Sequence, residues 1–186
     1  MFRRVLVTTC LVTGLVAASF GTAQAATVSP GSWAADFCTA VDTWQQDSTV
    51  KVDDLNTQLE GVTDLTTGRD TIVDLLGELV DSTDTAVDSI KDAGTPSTPN
   101  GAKISATFVK GFKAISKQFA KSQQQAESLS TTSPTEFTTK GKQIGTELSN
   151  SGERLNGGFA AVDKLDKSKK LEKAVKAAPE CAFLNT

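Results

Sequence analysis

The stretch WAADFCTAVDTW, residues 33–44, holds both tryptophans of the chain and one of its three cysteines. At about 100° per residue, its large apolar side chains fall on one side of a helix. These side chains are Trp33, Phe37, Val41 and Trp44. Ser32 precedes them and is a residue type that caps helix N-termini. The stretch therefore predicts an amphipathic first helix whose aromatic residues face a protein core.

Upstream of this helix, residues 1–25 have the three parts of a secretory signal peptide. A basic start, Arg3-Arg4, precedes an apolar run that ends at Phe20, and small residues close the segment at Ala25. The run is shorter than the roughly 20 residues that a membrane-spanning helix needs. Cleavage after Ala25 and export are therefore expected, with no transmembrane segment left in the mature chain. The alternative is an uncleaved N-terminal anchor.

Export changes how the cysteines are interpreted. Cys10 lies inside the apolar run, without the small-residue context of a lipidated cysteine, and leaves with the signal peptide. The remaining even pair, Cys38 and Cys181, predicts a disulfide in an oxidising compartment, the alternative being two free buried thiols. We expect this bridge to hold the C-terminal tail, with Phe183 and Leu184, against the side of the first helix.

The mature chain is predicted to be one all-α domain. After a flexible leader at residues 26–31, residues 32–186 show helical periodicity almost throughout. About four main helices and a short lysine-rich helix near residues 168–178 predict an antiparallel up-and-down bundle closed by the disulfide. Whether residues 50–66 form a separate helix or a bent continuation of the first helix stays open.

Local cap and turn residues divide the bundle into segments. The spacing Thr67–Asp70 is that of a capping box and predicts the start of a helix that ends before a loop at residues 95–101. The next helix covers about residues 101–130. Residues 133–136, SPTE, combine an N-cap serine, a proline at the first helical position and a capping-box glutamate. Whether the helix that they start breaks at Gly157-Gly158 stays open.

Charge is divided between the two halves of the mature chain. Residues 26–100 contain 14 acidic and 3 basic residues, whereas residues 101–186 contain 8 acidic and 14 basic residues. Helical projection places two charged stripes on the sides opposite the apolar faces. The acidic stripe consists of Asp70, Asp74, Asp81, Asp84, Asp88 and Asp92, and the basic stripe consists of Lys103, Lys110, Lys113, Lys117 and Lys121. Both stripes are expected to face solvent and to meet only at their edges.

These stripes have three interpretations. The simplest is that they are solvated faces that confer solubility. The second is that the basic stripe, extended by the lysines between residues 164 and 176, contacts an anionic envelope polymer or a lipid surface. The third is that acidic and basic stripes of different copies associate. No nucleic-acid partner is expected, because the phenylalanines of the basic segment lie on its buried side and base stacking needs exposed rings.

The chain lacks the residue types that several kinds of chemistry require. The chain has no histidine and no tyrosine, and its single methionine is Met1. A Ser-His-Asp or Cys-His nucleophile is therefore excluded, and no metal site or cofactor is expected. Asp53-Asp54 and the acidic stripe are interpreted as structural acids, with carboxylate-based hydrolysis as the least expected alternative.

Two glycines are candidates for a cavity. Gly141 and Gly152 fall on the apolar side of the helix that starts near residue 134. Small residues at such positions let helices approach closely. Alternatively, they open an apolar cavity in which a lipid-like ligand can bind.

The motifs DFCTAVDTW, residues 36–44, and PECAFL, residues 179–184, resemble those of uncharacterised small secreted helical proteins of actinobacteria. Many of those proteins carry a Phe-Cys pair in the first helix and a final cysteine. The resemblance implies a secreted, disulfide-closed bundle and supplies no catalytic residues that could be carried over to this chain. The expected function is non-enzymatic binding through charged faces outside the cytoplasm, with a carrier of a small apolar ligand as the alternative.

Overall fold

The computed structural model describes the backbone of residues 27–185 and, in that range, all side chains except those of residues 149–161, 163 and 185. The signal peptide predicted at residues 1–25 lies outside this range. The elements are β1 (Thr27–Val28), α1 (Pro30–Leu59), α2 (Leu65–Asp92), β2 (Thr95–Pro96), α3 (Gly101–Glu127), α4 (Pro134–Leu165), α5 (Lys170–Ala177) and a C-terminal 3-10 helix (Pro179–Asn185).

The helices form the expected bundle. Short links join α1 to α2, α2 to α3 and α3 to α4, and each of these pairs packs together. Short links make consecutive helices antiparallel. α5 and the 3-10 helix return to pack against α1. The all-α bundle with an extra short C-terminal helix is thus confirmed.

The start of α1 differs from the prediction. Ser29, not Ser32, is the N-cap, and its Oγ accepts a hydrogen bond of 3.1 Å from the backbone nitrogen of Ser32. Pro30 stands in the first turn, where its missing N–H costs no hydrogen bond. The helix then continues to Leu59, so residues 50–59 belong to α1 and do not form a separate helix.

The start of α2 also lies earlier than predicted. Asp64 is the cap, and its carboxylate accepts hydrogen bonds from the backbone nitrogen of Thr67 at 2.8 Å and from its hydroxyl at 2.7 Å. These bonds lower the pKa of Asp64, the backbone bond contributing most. Thr67 is therefore a donor inside the first turn rather than the cap. The far end of α2 is as expected, because Gly94 follows it with a φ of 79°.

The segment expected to be a flexible leader is hydrogen-bonded to the link between α2 and α3. Thr27 and Val28 of β1 pair in parallel with Thr95 and Pro96 of β2. The backbone nitrogen of Ser97 also donates to the Val28 carbonyl at 2.8 Å. Such a two-residue pairing carries no periodicity along the chain, so it could not be predicted from the sequence.

The second half of the bundle follows the prediction closely. Ser133 caps α4, and its Oγ accepts a 3.3 Å hydrogen bond from the backbone nitrogen of Glu136. α4 runs without a break through Gly157-Gly158 to Leu165. The helices α2, α3 and α4 therefore each differ from the prediction at one boundary at most.

The core has two parts. The first unites the N-terminal half of α1 with the ends of α2 and α4, the start of α3, α5 and the tail. The second joins the start of α2, the end of α3 and the start of α4. Trp44 packs against both parts. It therefore lies at the junction of the two halves of the core.

The disulfide is present between Cys38 and Cys181, with an S–S distance of 2.02 Å and a Cα–Cα distance of 5.1 Å. Both cysteines are fully buried. Phe183 packs against the first part of the core, as the sequence predicts, but Leu184 is 37% exposed. The tail thus contacts the bundle through Phe183, and Leu184 faces solvent.

Candidate functional site

Trp33 is a core anchor. Its ring stacks on Phe37 with centroids 4.7 Å apart, and its Nε1 donates a buried hydrogen bond of 3.2 Å to the Gly94 carbonyl. The same carbonyl accepts from the Ser105 hydroxyl at 3.1 Å. Because Trp33 is completely buried, its ring offers no surface to a ligand.

Trp44 has a different environment. It is half-buried, and its Nε1 donates a hydrogen bond of 3.0 Å to Oγ1 of Thr83. The Thr83 hydroxyl donates in turn to the Leu79 carbonyl at 2.6 Å. The Trp44 ring also meets Phe112 edge-on at a centroid distance of 5.1 Å. These contacts fix the ring in one orientation at the edge of the core.

A groove opens beside Trp44, between α1 and α2. We call it the α1–α2 groove; its volume is about 460 Å³. It is lined by Asp36, Thr39, Ala40, Thr43, Trp44 and Asp47 of α1 and by Ser82, Thr85, Ala86 and Ser89 of α2. Every side chain in this set except Trp44 is small or acidic. The groove is open to solvent rather than enclosed, and its surface combines apolar patches with hydroxyl and carboxylate groups.

The five lysines of the predicted basic stripe are all exposed on α3, and we call this surface the lysine face: Lys103, Lys110, Lys113, Lys117 and Lys121. The opposite side of α3 carries Ile104, Phe108 and Phe112, all buried. Among the described residues, Lys121 is the one lysine of this face that forms an ion pair, with Glu147 at 3.1 Å. The remaining lysine face presents its charge to solvent.

Glu147 of α4 holds one end of the lysine face. It accepts hydrogen bonds from Lys121 at 3.1 Å, Gln118 at 3.2 Å and Gln125 at 3.5 Å. These bonds lower the pKa of Glu147, the one from Lys121 contributing most. The carboxylate therefore stays ionised and joins the exposed edges of α3 and α4.

The other end of the lysine face adjoins the C-terminal end of α4. The Asn100 side chain, just before α3, donates a 2.8 Å hydrogen bond to the Leu165 carbonyl. Lys164 and Lys167, both exposed, are therefore brought near the first turn of α3. This contact joins the basic residues of two separate segments.

The acidic stripe lies on the exposed side of α2, as predicted, and all six of its aspartates are exposed. Asp88 accepts a 2.7 Å hydrogen bond from Lys91, which is the main reason that its pKa is lowered, and the charge of Lys113 adds to this effect. The two stripes thus approach each other at Asp88 and Lys113, along the seam between α2 and α3.

A buried carboxylate that the sequence did not single out organises the lysine-rich end. Asp166 is 4% exposed and accepts hydrogen bonds from the backbone nitrogens of Leu171 at 2.9 Å and Glu172 at 3.0 Å. Its other oxygen accepts from the Ser168 hydroxyl at 3.0 Å. An aspartate shortly before a helix is a residue type that can accept hydrogen bonds from the free backbone nitrogens of the first turn. Asp166 is therefore a structural acid for α5.

Of the two glycines predicted to mark a cavity, the structure describes the surroundings of one. Gly141 is half-buried, and a Cβ built on it would meet no atom within 4 Å outside its own helical turn. It therefore does not mark a close approach of two helices. Gly152 belongs to α4, but its surroundings lie outside the described residues. An apolar cavity at Gly152 stays a prediction.

The described side chains contain no group of three His, Cys, Asp or Glu residues that could hold a metal ion. None of the helices in the described range is long and apolar enough to cross a membrane.

The sequence did not predict the α1–α2 groove. Its signal is the recurrence of small residues at gaps of three and four on two helices, at positions 39, 40 and 43 and at positions 82, 85, 86 and 89. Each pattern by itself is ordinary for a helix in a bundle. Only the register of α1 against α2 places the two sets opposite each other.

Comparisons of the chain with protein family models, with curated proteins and with solved structures found no match. Function must therefore be argued from the surface chemistry of this chain.

Proposed function

We propose that this protein is a non-enzymatic binding protein that acts outside the cytoplasm, and that its lysine face binds an anionic polymer of the cell envelope. The observation that carries the proposal is the exposure of five lysines on one side of α3. Because α3 is held between α2 and α4, the lysines project from a rigid support. A fixed row of like charges favours a partner with repeated charges of the opposite sign.

The spacing of these lysines suits an extended partner. Lys103 and Lys121 are separated by about 27 Å along the axis of α3, at about 1.5 Å per residue. Lys110, Lys113 and Lys117 occupy successive turns between them. A linear polyanion that lies along α3 meets a cation at nearly every turn, whereas a compact anion meets one or two.

The position of the exposed apolar residues, away from α3, favours a polymer over a lipid surface as the partner of the lysine face. Helices that bind in the plane of a membrane combine basic residues with large apolar side chains that enter the bilayer. Among the described residues, the exposed large apolar side chains are Val50, Val52 and Leu184, and none of them belongs to α3. The lysine face therefore has charge without an inserting group.

Export fits the buried disulfide between Cys38 and Cys181, since such bridges persist in oxidising compartments. The predicted signal peptide supplies the route. Together they support placing the lysine face in contact with the envelope rather than with cytoplasmic polyanions.

Co-sedimentation of the mature protein with purified envelope fragments tests this proposal. We expect binding at low ionic strength and release near 1 M salt, where screening acts over about 3 Å. Vesicles that contain phosphatidylglycerol form the second arm. Binding to vesicles but not to envelope polymer would contradict the choice of partner, and binding to neither would contradict the proposed function.

A further inference from the structure

The α1–α2 groove exists because the facing residues of the two helices are too small to fill the space between them. Its floor contains Ala40 and Ala86, and its walls carry Thr39, Thr43 and Ser82. The resulting volume of about 460 Å³ lies within the size range of small-molecule sites, about 300–1,000 Å³. The groove is therefore large enough for a small elongated ligand.

Carboxylates lie at both ends of the groove. Asp36 and Asp47 lie on the same side of α1, about 16 Å apart along the helix axis at about 1.5 Å per residue. No lysine or arginine is among the residues that line the groove. Lys51, next to one end, hydrogen-bonds Glu78 at 3.1 Å and forms an ion pair with Oδ1 of Asp47 at 3.6 Å. Oδ2 of Asp47 is not part of this pair and is an acceptor for a second cation.

Two of the three hydroxyl groups that α2 contributes to the groove add acceptors rather than donors. Thr85 Oγ1 donates its proton to the Asp81 carbonyl at 2.9 Å, and Ser89 Oγ donates to the Thr85 carbonyl at 3.0 Å. A hydroxyl whose proton is engaged in this way presents only lone pairs to a ligand. These groups therefore favour a ligand that donates hydrogen bonds, as an ammonium group does.

The middle of the groove is apolar. Ala40 and Ala86 lie there, and Trp44 contributes an indole whose orientation is fixed by Thr83 and Phe112. Such a surface suits methylene groups, and a ring that is already held in place loses little entropy when a ligand binds. The order along the groove is thus carboxylate, apolar surface, carboxylate.

From this order we infer that the α1–α2 groove binds an elongated linear polyamine, its terminal ammonium groups at Asp36 and Asp47 and one of its methylene segments on Trp44. The exposed acidic stripe of α2 attracts such a cation toward the groove. This site lies on α1 and α2, apart from the lysine face, so it goes beyond the proposed function and does not depend on it.

Titration with spermine, an extended tetraamine of matching length, tests this inference. Trp33 is fully buried, so a change in tryptophan emission reports on Trp44. We expect saturable binding to the mature protein. Putrescine is too short to span both carboxylates and is expected to bind about threefold more weakly, because it loses one of the two ion pairs.

Two paired variants complete the test. Asp36→Asn with Asp47→Asn removes both carboxylates and is expected to weaken spermine binding about tenfold. Glu60→Gln with Glu127→Gln removes the same charge from exposed positions outside the groove and the acidic stripe and should leave the affinity nearly unchanged. Thermal melting verifies that both variants are folded. Equal weakening in both variants, or no saturable binding of spermine to the unmodified protein, would overturn the inference.

Discussion

The indole Nε1 of Trp44 lies 3.0 Å from Oγ1 of Thr83 and donates a hydrogen bond that joins α1 to α2. Thr83 is completely buried, and its hydroxyl donates a second hydrogen bond to the Leu79 carbonyl. Trp44 packs against both parts of the core. This pair therefore couples the first helix to the middle of the bundle and sets the orientation of the indole in the α1–α2 groove.

Replacement of Trp44 by Phe is expected to destabilise the protein. The change keeps an aromatic ring but removes the indole N–H that donates to Thr83. The hydrogen bond contributes about 0.5–1.5 kcal/mol to the free energy of unfolding. Denaturant titration of Trp44→Phe, Thr83→Val and the double variant measures the coupling between the two residues. Strict additivity of the two single changes would contradict a direct bond.

Loss of the disulfide is expected to destabilise the protein strongly. Cys38 and Cys181 are 143 residues apart in sequence, so their bridge constrains nearly the whole described chain. Replacement of both by Ala is expected to lower the free energy of unfolding by about 2–5 kcal/mol. Intact-mass analysis of the secreted protein must also show no free thiol. Two free thiols together with unchanged stability after the replacement would contradict this role.

Replacement of two glycines on α3 by alanine is expected to have opposite effects on the free energy of unfolding. A Cβ at Gly101 would overlap the backbone oxygen of Pro96, whereas a Cβ at Gly111 would meet nothing within 4 Å. Gly101→Ala is therefore expected to lower the free energy of unfolding by about 1–3 kcal/mol through steric conflict. Gly111→Ala is expected to raise it by about 0.5–1 kcal/mol, because alanine is the better helix former. Thermal melts that rank the two variants the other way would contradict this packing.

The pH dependence of α5 depends on Glu172. Hydrogen bonds from Lys176 at 2.8 Å and from Lys169 lower the pKa of Glu172 to about 2, from an ordinary value of 4.5. Because the folded-state pKa is depressed, the stabilisation is fully present above pH 4.5 and is lost as the pH falls toward about 2.

A carboxyl titration by NMR checks this value. Lys169→Gln with Lys176→Gln should return the midpoint of Glu172 toward 4.5, whereas Lys170→Gln with Lys173→Gln, on the same segment, should leave it low. A midpoint near 4.5 in the unmodified protein would show that the two ion pairs do not persist in solution.

Local signals explain how much of the fold the sequence predicts. Ser133 was predicted as a cap because Pro134 and Glu136 follow it at the expected positions. At the start of α1, Ser29 and Ser32 are both acceptable caps, and Pro30 at the first helical position was the signal that favoured Ser29. Beyond residue 50, α1 continues alongside α2 and contacts it, for example through the ion pair between Lys51 and Glu78, and no local pattern reveals such a contact.

The same reasoning applies to the surface sites. The lysine face was predictable because the position of a residue on one helix follows from its spacing along the sequence. The α1–α2 groove could not be predicted in this way, because it depends on how two helices are aligned against each other. The pairing of β1 with β2 was missed for a similar reason, since Val28 and Pro96 are distant in sequence.

The most direct test of the central claim compares two triple variants for binding to a purified anionic envelope polymer. Lys110→Gln, Lys113→Gln and Lys117→Gln neutralise the middle of the lysine face, and Lys91→Gln, Lys140→Gln and Lys142→Gln remove the same charge from α2 and α4. Affinity for teichoic acid is measured at low salt by isothermal titration calorimetry. We predict a loss of at least about tenfold for the first variant and less than about threefold for the second, since local charge rather than net charge governs the contact. Equal losses in both variants, or unchanged affinity in the first, would contradict the assignment of the lysine face as the binding surface.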